Sequence, residues 1–300
     1  MDRDFIRHAR GLAARYRTDD GDAFRLKPVN PGDTAGLPGT DKAAAENLLR
    51  RGVETLEHLQ DLLYAQGRWG LLLIFQGLDA AGKDGAIKHV MSGVNPMGCQ
   101  VASFKAPSPE ELDHDFLWRA QVRLPGRGRI GIFNRSYYEE VLVVRVHPEL
   151  LAPQRLPASP SGKMLWESRF KDIRAFEHHL ARSGVVVRKF FLHVSRAEQK
   201  RRLLARLDDP DKNWKYSPAD IHERAYWPKY MRAYEDAIRA TATRHAPWYV
   251  VPADNKWYAR LVVAAAIVDT LASLRLAYPR LGRAARAGLA QARRRLLAQR

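Results

Sequence analysis

The chain has 300 residues, 46% of them hydrophobic, which is enough to bury the core of one large domain or two small ones and excludes a disordered chain. Its 50 lysines and arginines against 33 acidic residues give a net charge of +17, which favours anionic partners such as nucleic acid, anionic lipid or polyphosphate. One cysteine excludes an intramolecular disulfide, and no apolar run has the length of a signal peptide or a membrane span, so we expect a soluble cytoplasmic protein without a membrane partner.

The first 40 residues mix charges with prolines and glycines and show no sustained helical or strand period. We therefore interpret residues 1–40 as an N-terminal arm. Apolar residues then recur at helical spacing from residue 43 to 66, which predicts an amphipathic helix packed on a sheet. This helix opens the core domain, which we place at residues 41–275.

A buried strand and a glycine-rich turn follow this helix. The apolar run 69–75 leads into Gly77-Leu78-Asp79-Ala80-Ala81-Gly82-Lys83-Asp84, and a helix begins at Gly85. This is the layout of a phosphate-binding loop, in which backbone N–H groups wrap an anion and Lys83 places a charge on the β- and γ-phosphates. The loop residues expected to bind phosphate are Gly77, Ala80, Ala81, Gly82, Asp84 and Gly85.

Two carboxylates are unusual in such a loop. Asp79 lies inside the cradle, and Asp84 stands where Ser or Thr normally follows the lysine. Carboxylates next to phosphates repel them unless a divalent cation lies between, so both acids indicate Mg²⁺, with Mn²⁺ as an alternative. A helix-capping role explains Asp84 equally well.

Two further strands are predicted at 100–104 and 128–133, with a helix at about 109–122 between them. The second strand ends in Asn134-Arg135-Ser136-Tyr137-Tyr138-Glu139-Glu140. Because ligands bind at the carboxyl ends of the strands in an open parallel sheet, this heptapeptide should face the phosphate loop.

A helical lid is predicted between the last two strands, which we place at 185–194 and 248–252. A strongly cationic helix from Ser195 to Leu207 is followed by a break and by a second helix from Ser217 to about Ala242. A basic helix pair in this position has the form of a lid that closes over phosphates, at about 196–226. A solvated helix face is the alternative interpretation of its arginines.

These elements predict an α/β fold with a five-stranded parallel sheet flanked by helices. An apolar helix follows the last strand from Leu261 to Leu274, and residues 276–300 form a basic C-terminal tail. From Arg280 to Arg300 the tail contains seven arginines and no acidic residue. It either binds an anionic partner or is a solvated helix.

Four separated motifs in this order resemble those of the polyphosphate kinase 2 family over roughly residues 40–275. The motifs are Gly77–Gly85, Ile132–Glu139, Asp209–Lys215, and Glu223–Trp227 together with Ala246–Asp254. The resemblance implies a thymidylate-kinase-like P-loop kinase fold and Mg²⁺-dependent phosphoryl transfer between inorganic polyphosphate and nucleotides. It also implies a homo-oligomer.

The resemblance carries roles to individual residues. Asp79 and Lys83 match the loop positions that hold metal and phosphates, and Arg135 matches an arginine that contacts the transferring phosphoryl group. Arg202 and Arg206 lie where the lid of the family contributes its basic residues, so both are candidate catalytic residues.

The second motif departs from the commonest family pattern. That pattern reads Phe-Asp-Arg-Ser, with the aspartate serving the metal, whereas this chain has Asn134, which offers a carbonyl oxygen but no charge. Asp79 is therefore the expected protein anchor for the metal, with Asn134 as the candidate second ligand. The form of the motif resembles the subgroup that phosphorylates both AMP and ADP, with Glu139 as its nucleotide-side marker and guanine nucleotides as further candidates.

A polyphosphate chain also needs a basic track that leads to the loop. The candidates are Lys88, Arg119, Arg123, Arg127, Arg129 and Arg174. Two rival functions stay open: an ATP-dependent small-molecule kinase on the same fold, which needs no long cationic groove, and a nucleic-acid-binding P-loop protein that uses the arginine tail. No base-reading motif is present, so a nucleic-acid partner is not expected.

Overall fold

A computed structural model describes residues 2–37, 42–157 and 162–299. The strands in these ranges are β1 (Arg17–Thr18), β2 (Gly70–Gln76), β3 (Cys99–Ser103), β4 (Ile130–Asn134), β5 (Val185–His193) and β6 (Trp248–Pro252). The helices are α1 (Arg3–Tyr16), α2 (Lys42–Gln66), α3 (Lys83–Val90), α4 (Pro109–Asp113), α5 (Trp118–Gln121), α6 (Val143–Val146), α7 (Lys163–Arg182), α8 (Arg196–Leu207), α9 (Pro218–Glu223), α10 (Trp227–Thr241), α11 (Lys256–Ser273) and α12 (Arg283–Leu297). Short 3-10 turns lie at Pro96–Gly98, Tyr137–Val141, Pro148–Gln154, Pro210–Lys215 and Arg224–Tyr226.

The strands form one sheet in the order β1-β6-β5-β2-β4-β3. All neighbours from β6 to β3 pair in parallel, as predicted, and the register sets Phe75 of β2 beside Asn134 of β4 and Phe190 of β5. The expected number of strands was wrong, because β1 adds a sixth that pairs antiparallel with β6. Two residues, Arg17 and Thr18, carry no alternating apolar pattern from which a strand could be predicted.

The core lies on both faces of the sheet. All seven residues of β2 are buried, as expected for a central parallel strand. One apolar cluster joins this sheet to α1, α2, α3 and α11, and a second joins the opposite face to α7, α10 and the turn Tyr137–Val141. Burying one large aliphatic side chain contributes roughly 1.5–3 kcal/mol to the stability of the fold. The two clusters together therefore hold the carboxyl ends of the strands in fixed positions.

Helix α1 corrects the expectation that residues 1–40 lack regular structure. The Asp2 side chain caps it by accepting a hydrogen bond from the Phe5 backbone N–H. Its buried face packs on α11. The residues of that face are Phe5, Ala9, Leu12, Ala13 and Tyr16. Two of them are alanines and polar residues surround the rest, so the helical period was present in the sequence but weak.

Two predicted helices are interrupted. The segment 109–122 forms α4 and α5 as separate short helices, and Ser108 and Glu111 complete a capping box at the start of α4. The second lid helix is divided into α9 and α10 by the turn Arg224–Tyr226. Pro228 lies at the start of α10, where a missing N–H is tolerated, so the helix restarts there. Within the described ranges no helix is long and apolar enough to cross a membrane.

Candidate active site

The phosphate loop lies between β2 and α3, as the sequence predicts. A Cβ atom on Gly77 would lie 3.1 Å from both the Ala81 Cβ and the Leu192 carbonyl oxygen, so the close approach of the loop to β5 favours glycine. Gly82 has a φ of +103°, which L side chains rarely adopt, and Ala80 is left-handed with a φ of +62°. The loop therefore has a backbone shape that its sequence only partly favours.

The Lys83 ammonium lies under this loop and is 8% exposed. Its Nζ donates hydrogen bonds to the carbonyl oxygens of Gly77 at 2.7 Å and Leu78 at 3.3 Å. Burial, and then the positive charge of Arg135, lower the pKa of Lys83, while the carboxylates of Asp79 and Glu139 act in the opposite direction. An incoming phosphate oxygen would compete with two neutral carbonyls for a desolvated ammonium, which favours the anion.

Arg135 joins the loop to the turn after β4. Its guanidinium donates to Asp79 Oδ1 at 2.7 Å and to Glu139 Oε2 at 2.9 Å. Burial lowers the pKa of Arg135, but the two carboxylates outweigh that effect and raise it above its ordinary value. The Arg135 side chain is 34% exposed, and its backbone is left-handed with a φ of +62°. The structure thus brings Asp79, Lys83, Arg135 and Glu139 together with the cation accessible to a ligand.

Asp84 contacts the strand end instead of capping a helix. The residue before α3 is Gly82, so Asp84 lies one residue inside the helix, and its Oδ1 accepts a hydrogen bond from Asn134 Nδ2 at 2.8 Å. Asp79, Asp84 and Asn134 all border one cavity. No group of three His, Cys, Asp or Glu side chains that could hold a metal occurs in the part of the chain that the structure describes. Mg²⁺ is usually held by one or two carboxylates and completed by substrate phosphates, so this oxygen set fits it.

Helix α8 crosses the loop and is tied to it. Gln199 Nε2 donates to the Asp79 carbonyl oxygen at 2.9 Å. Arg202 is 7% exposed and donates to the backbone carbonyls of Ala80 and Ala81, whereas Arg206 donates to Asp220 Oδ2 of α9 at 2.9 Å. The two arginines predicted as catalytic therefore have different surroundings: Arg206 borders the cavity next to another lid helix, and Arg202 faces the loop backbone.

Two cavities meet at the loop. The larger, of about 700 Å³, has cations on the side away from β4, and the smaller, of about 30 Å³, has acidic and aromatic walls. Both include Asp79, Arg135 and Asp220 in their walls. The cations of the larger cavity outside the loop and strand ends are Arg201, Arg202, Arg206, Lys212, Lys256 and Arg260. A separate cavity of about 620 Å³ includes none of the predicted site residues.

The six residues of the predicted basic track are not brought together. Lys88 is exposed on α3, next to the loop, but Arg127 donates to the Arg68 and Ser183 carbonyls at the amino ends of the strands, the edge opposite the site. Arg123 and Arg129 are exposed in the same connection before β4, and Arg174 is exposed on α7, no residue of which borders the larger cavity.

Arg119, the remaining track candidate, is buried within the segment after β3. It donates to Glu111 at 3.3 Å and to the Lys105 carbonyl at 2.8 Å, and its guanidinium lies over the Phe104 ring. Its charge therefore holds this segment together. Counting cations along the sequence cannot distinguish the two edges of a sheet, and the six predicted residues therefore lie at separate places on the molecule.

Sequence reasoning also missed residues that border the site. Lys256 and Arg260 of α11 lie over the loop helix, and a Cβ on Gly85 would be 3.9 Å from Arg260 Nη2. The signal was available, because Lys256 follows the carboxyl end of β6 just as Asn134 ends β4. Gln199 and Asp220 carried no such signal, since only the fold brings α8 and α9 over the loop.

Comparisons with known proteins agree with the predicted family. The family model described as polyphosphate kinase 2 matches residues 39–277. An ADP-polyphosphate phosphotransferase of Rhodopseudomonas palustris is 55% identical over 251 residues, covering 83% of this chain and 87% of that protein. An AMP/ADP-polyphosphate phosphotransferase of Meiothermus ruber is 46% identical over 267 residues, covering 88% and 95%. The crystal structure of a polyphosphate kinase 2 from Arthrobacter aurescens TC1 superposes with a TM-score of 0.84 at 42% identity, covering 93% of this chain and 96% of that one.

Proposed function

Since the chain belongs to the polyphosphate kinase 2 family, we propose that it transfers phosphoryl groups from inorganic polyphosphate to ADP and AMP, in the presence of Mg²⁺, and so forms ATP from ADP. The observation that carries this proposal is the meeting of a cationic cavity and an acidic, aromatic cavity at Asp79 and Arg135. A polyanionic donor and a nucleotide acceptor need two such sites that share one reacting centre.

The phosphate chain is assigned to the cationic cavity. Partial burial, and then the positive charges of Arg202 and Arg201, lower the pKa of Lys256, so the cations of this wall repel one another. A polyphosphate chain would relieve that repulsion and bring several negative charges at once. We therefore propose Lys212, Lys256 and Arg260 as the polyphosphate track in place of the predicted residues.

The nucleotide is assigned to the second cavity, whose walls include Glu139, Trp227, Tyr230 and Tyr234. Aromatic rings provide stacking surfaces for a base, and the acceptor phosphates would lie toward Arg135. A volume of about 30 Å³ is far below the several hundred Å³ of a usual ligand pocket. Binding therefore requires that the part of the predicted lid after α8, which contributes Asp220, Glu223 and Arg224 to the wall of the cavity, move away from the loop.

The chemistry demands positioning and charge more than covalent work. Arg135 lies between Asp79 and Glu139, where it can contact the phosphoryl group as it passes between donor and acceptor. Lys83 binds the phosphates next to it, and Arg206 adds charge from α8. Asp79, Asp84 and the Asn134 carboxamide would hold Mg²⁺, which when bound would neutralise phosphate charge.

The decisive test is an assay of the purified protein with polyphosphate, Mg²⁺ and ADP, in which ATP should form. Side-by-side initial rates with AMP, ADP, GMP and GDP would then set the acceptor preference. The proposal fails if no nucleotide is phosphorylated from polyphosphate. Phosphorylation of a small-molecule acceptor from ATP alone would instead indicate a conventional kinase on the same fold.

The second motif bears on which nucleotides the protein accepts. The second motif around Asn134 resembles that of the subgroup that uses both AMP and ADP, and the Meiothermus ruber relative carries both nucleotides in its name. We expect measurable rates with AMP as well as ADP.

The family resemblance supports a homo-oligomer in the cytoplasm. Light scattering of the purified protein should therefore give a mass of at least twice 34.1 kDa.

A further inference from the structure

We infer that Arg202 is a positioning residue that fixes the phosphate loop and does not itself contact phosphate. Its guanidinium has five N–H donors, and the structure supplies five acceptors. Nε donates to Glu198 at 2.7 Å, Nη1 to the carbonyls of Ala80 at 3.1 Å and Ala81 at 2.9 Å, and Nη2 to those of Ala253 at 2.5 Å and Asp254 at 3.0 Å. No donor is left for a substrate oxygen.

The two loop carbonyls determine where the loop presents its N–H groups. In a planar trans peptide the carbonyl and the next N–H point in opposite directions, so holding the Ala81 carbonyl turns the Gly82 N–H away from Arg202. Holding the Ala80 carbonyl likewise orients the Ala81 N–H, which closes the turn onto the Leu78 carbonyl at 3.1 Å. Ala80 is left-handed, and such a residue keeps its conformation only where surrounding contacts impose it.

Arg202 and the backbone carbonyls that it binds form a brace between the phosphate loop and the loop after β6. The end of this brace at Ala253 and Asp254 contacts the N-terminal segment. Asp254 Oδ1 accepts from the Ser195 N–H at 2.7 Å, at the start of α8, and the Asp254 N–H donates to the Pro31 carbonyl at 3.0 Å. Asn255 Nδ2 donates to the Gly32 carbonyl at 3.3 Å. A turn at residues 30–33 thus supports the loop after β6, which holds Arg202, which holds the phosphate loop. This turn precedes residue 39, where the match to the family model begins.

Two substitutions separate positioning from direct phosphate contact. A lysine cannot reproduce five hydrogen bonds in a planar fork, but it can still place a positive charge near phosphate. If Arg202 positions the loop, Arg202→Lys and Arg202→Met should lose turnover to a similar extent, by on the order of 10²-fold in kcat, as small misplacements of reacting groups do. In hydrogen–deuterium exchange of the ligand-free protein, both variants should exchange the amides of residues 78–84 faster than the wild type.

Lys200→Met is the matched control, because Lys200 is exposed on the same helix and borders neither cavity at the loop. It should leave the exchange rates and kcat unchanged. Asn255→Ala, a milder change at the far end of the brace, should raise exchange of residues 78–84 less strongly and keeps the test open if the Arg202 variants do not fold. The inference is overturned if Arg202→Lys keeps most of the activity that Arg202→Met loses, or if loop exchange is unchanged in the folded variants. The exchange measurement uses no substrate, so it does not depend on the proposed activity.

Discussion

In the proposed metal site, Asn134 offers a neutral carboxamide where an aspartate would offer an anionic ligand. Its amide donates to Asp84 Oδ1 at 2.8 Å. In Asn134→Asp two carboxylates would face each other, and without a divalent cation they would repel. We expect the melting temperature of this variant to fall without Mg²⁺ and to recover when Mg²⁺ is added, and the Mg²⁺ concentration for half-maximal activity to fall.

Asn134→Ala is the control for that change, because it removes the same hydrogen bond and adds no charge. Its melting temperature should rise with Mg²⁺ no more than that of the wild type, because alanine offers the metal no ligand. Thermal unfolding over a Mg²⁺ titration compares the three proteins directly. An Asn134→Asp variant that responds to Mg²⁺ as the wild type does would show that the metal does not contact this position.

Lys83 is the residue for which a large loss of activity with an intact fold is expected. Lys83→Met keeps the length of the buried side chain but removes the ammonium, so the cost of desolvating a charge disappears together with its two hydrogen bonds. Loss of one preorganised cation at the reacting phosphates should lower kcat by about 10²-fold or more. Circular dichroism should be unchanged, and Lys171→Met, at an exposed position of α7, should retain the activity of the wild type. Wild-type turnover in a folded Lys83→Met protein would remove Lys83 from the mechanism.

Residues close together in the sequence were predictable, and residues joined through space were not. The loop, Arg135 and Glu139 belong to local motifs whose geometry follows from a strand end. The role of Arg202 depends on five acceptors from three separate segments, which no spacing reveals. The resemblance therefore suggested a catalytic arginine at a position where the guanidinium binds Glu198 and backbone carbonyls.

At the scale of elements, a buried polar network fixes the turn Tyr137–Val141 that carries Glu139. Lys189 of β5 and Glu177 of α7 are both fully buried, 2.6 Å apart. The hydroxyls of Tyr137 and Tyr138 donate to the Glu177 carboxylate at 2.9 and 2.8 Å, so one ion pair connects a strand, a helix and the turn. Glu139, the proposed nucleotide-side carboxylate, is thus positioned from inside the core.

Removing the cation of this network should be strongly destabilising. Lys189→Met leaves the Glu177 charge buried without its counter-ion, and breaking a buried pair in this way typically costs ~3–5 kcal/mol. Urea unfolding should report that loss in the free energy of unfolding. Replacing both partners, as in Lys189→Met with Glu177→Leu, should recover part of it, because no uncompensated charge remains. Equal stability of Lys189→Met and the wild type would contradict the structural role of the pair.

The elements themselves were predictable where their periodicity was strong. Strands β2 and β5 and helices α2 and α11 follow from long apolar patterns, because burial imposes those patterns. Helix α1 and strand β1 were missed, since an alanine-rich contact face and a two-residue pairing leave little trace in composition. Their positions are set by packing on α11 and pairing with β6, which are distant in sequence.

For the whole molecule, the carboxyl and amino edges of the sheet differ in what their residues contact. The carboxyl edge carries the phosphate loop, the end of β4 and the start of α11, whereas Arg127 at the amino edge binds backbone carbonyls that join two connections. The residues that give the net charge of +17 therefore do not form a single basic track. Some of them border the larger cavity, some hold connections together, and some lie in the C-terminal tail, whose role was left open by the sequence.

The tail provides a test of long-range attraction separate from the site. Helix α12 exposes Leu289, Leu296 and Leu297 by 58%, 67% and 69%, so those side chains stabilise no core. Ending the chain at residue 279 removes seven arginines and no acid, which lowers the net charge from +17 to +10. We expect an unchanged melting temperature and unchanged kcat, but a lower kcat/KM for long polyphosphate at low salt. Because salt screens exposed charges over about 8 Å at physiological ionic strength, the difference from the full chain should shrink as salt is raised. A lower melting temperature, or a kcat/KM with the same salt dependence as the full chain, would show that the tail packs or acts at short range.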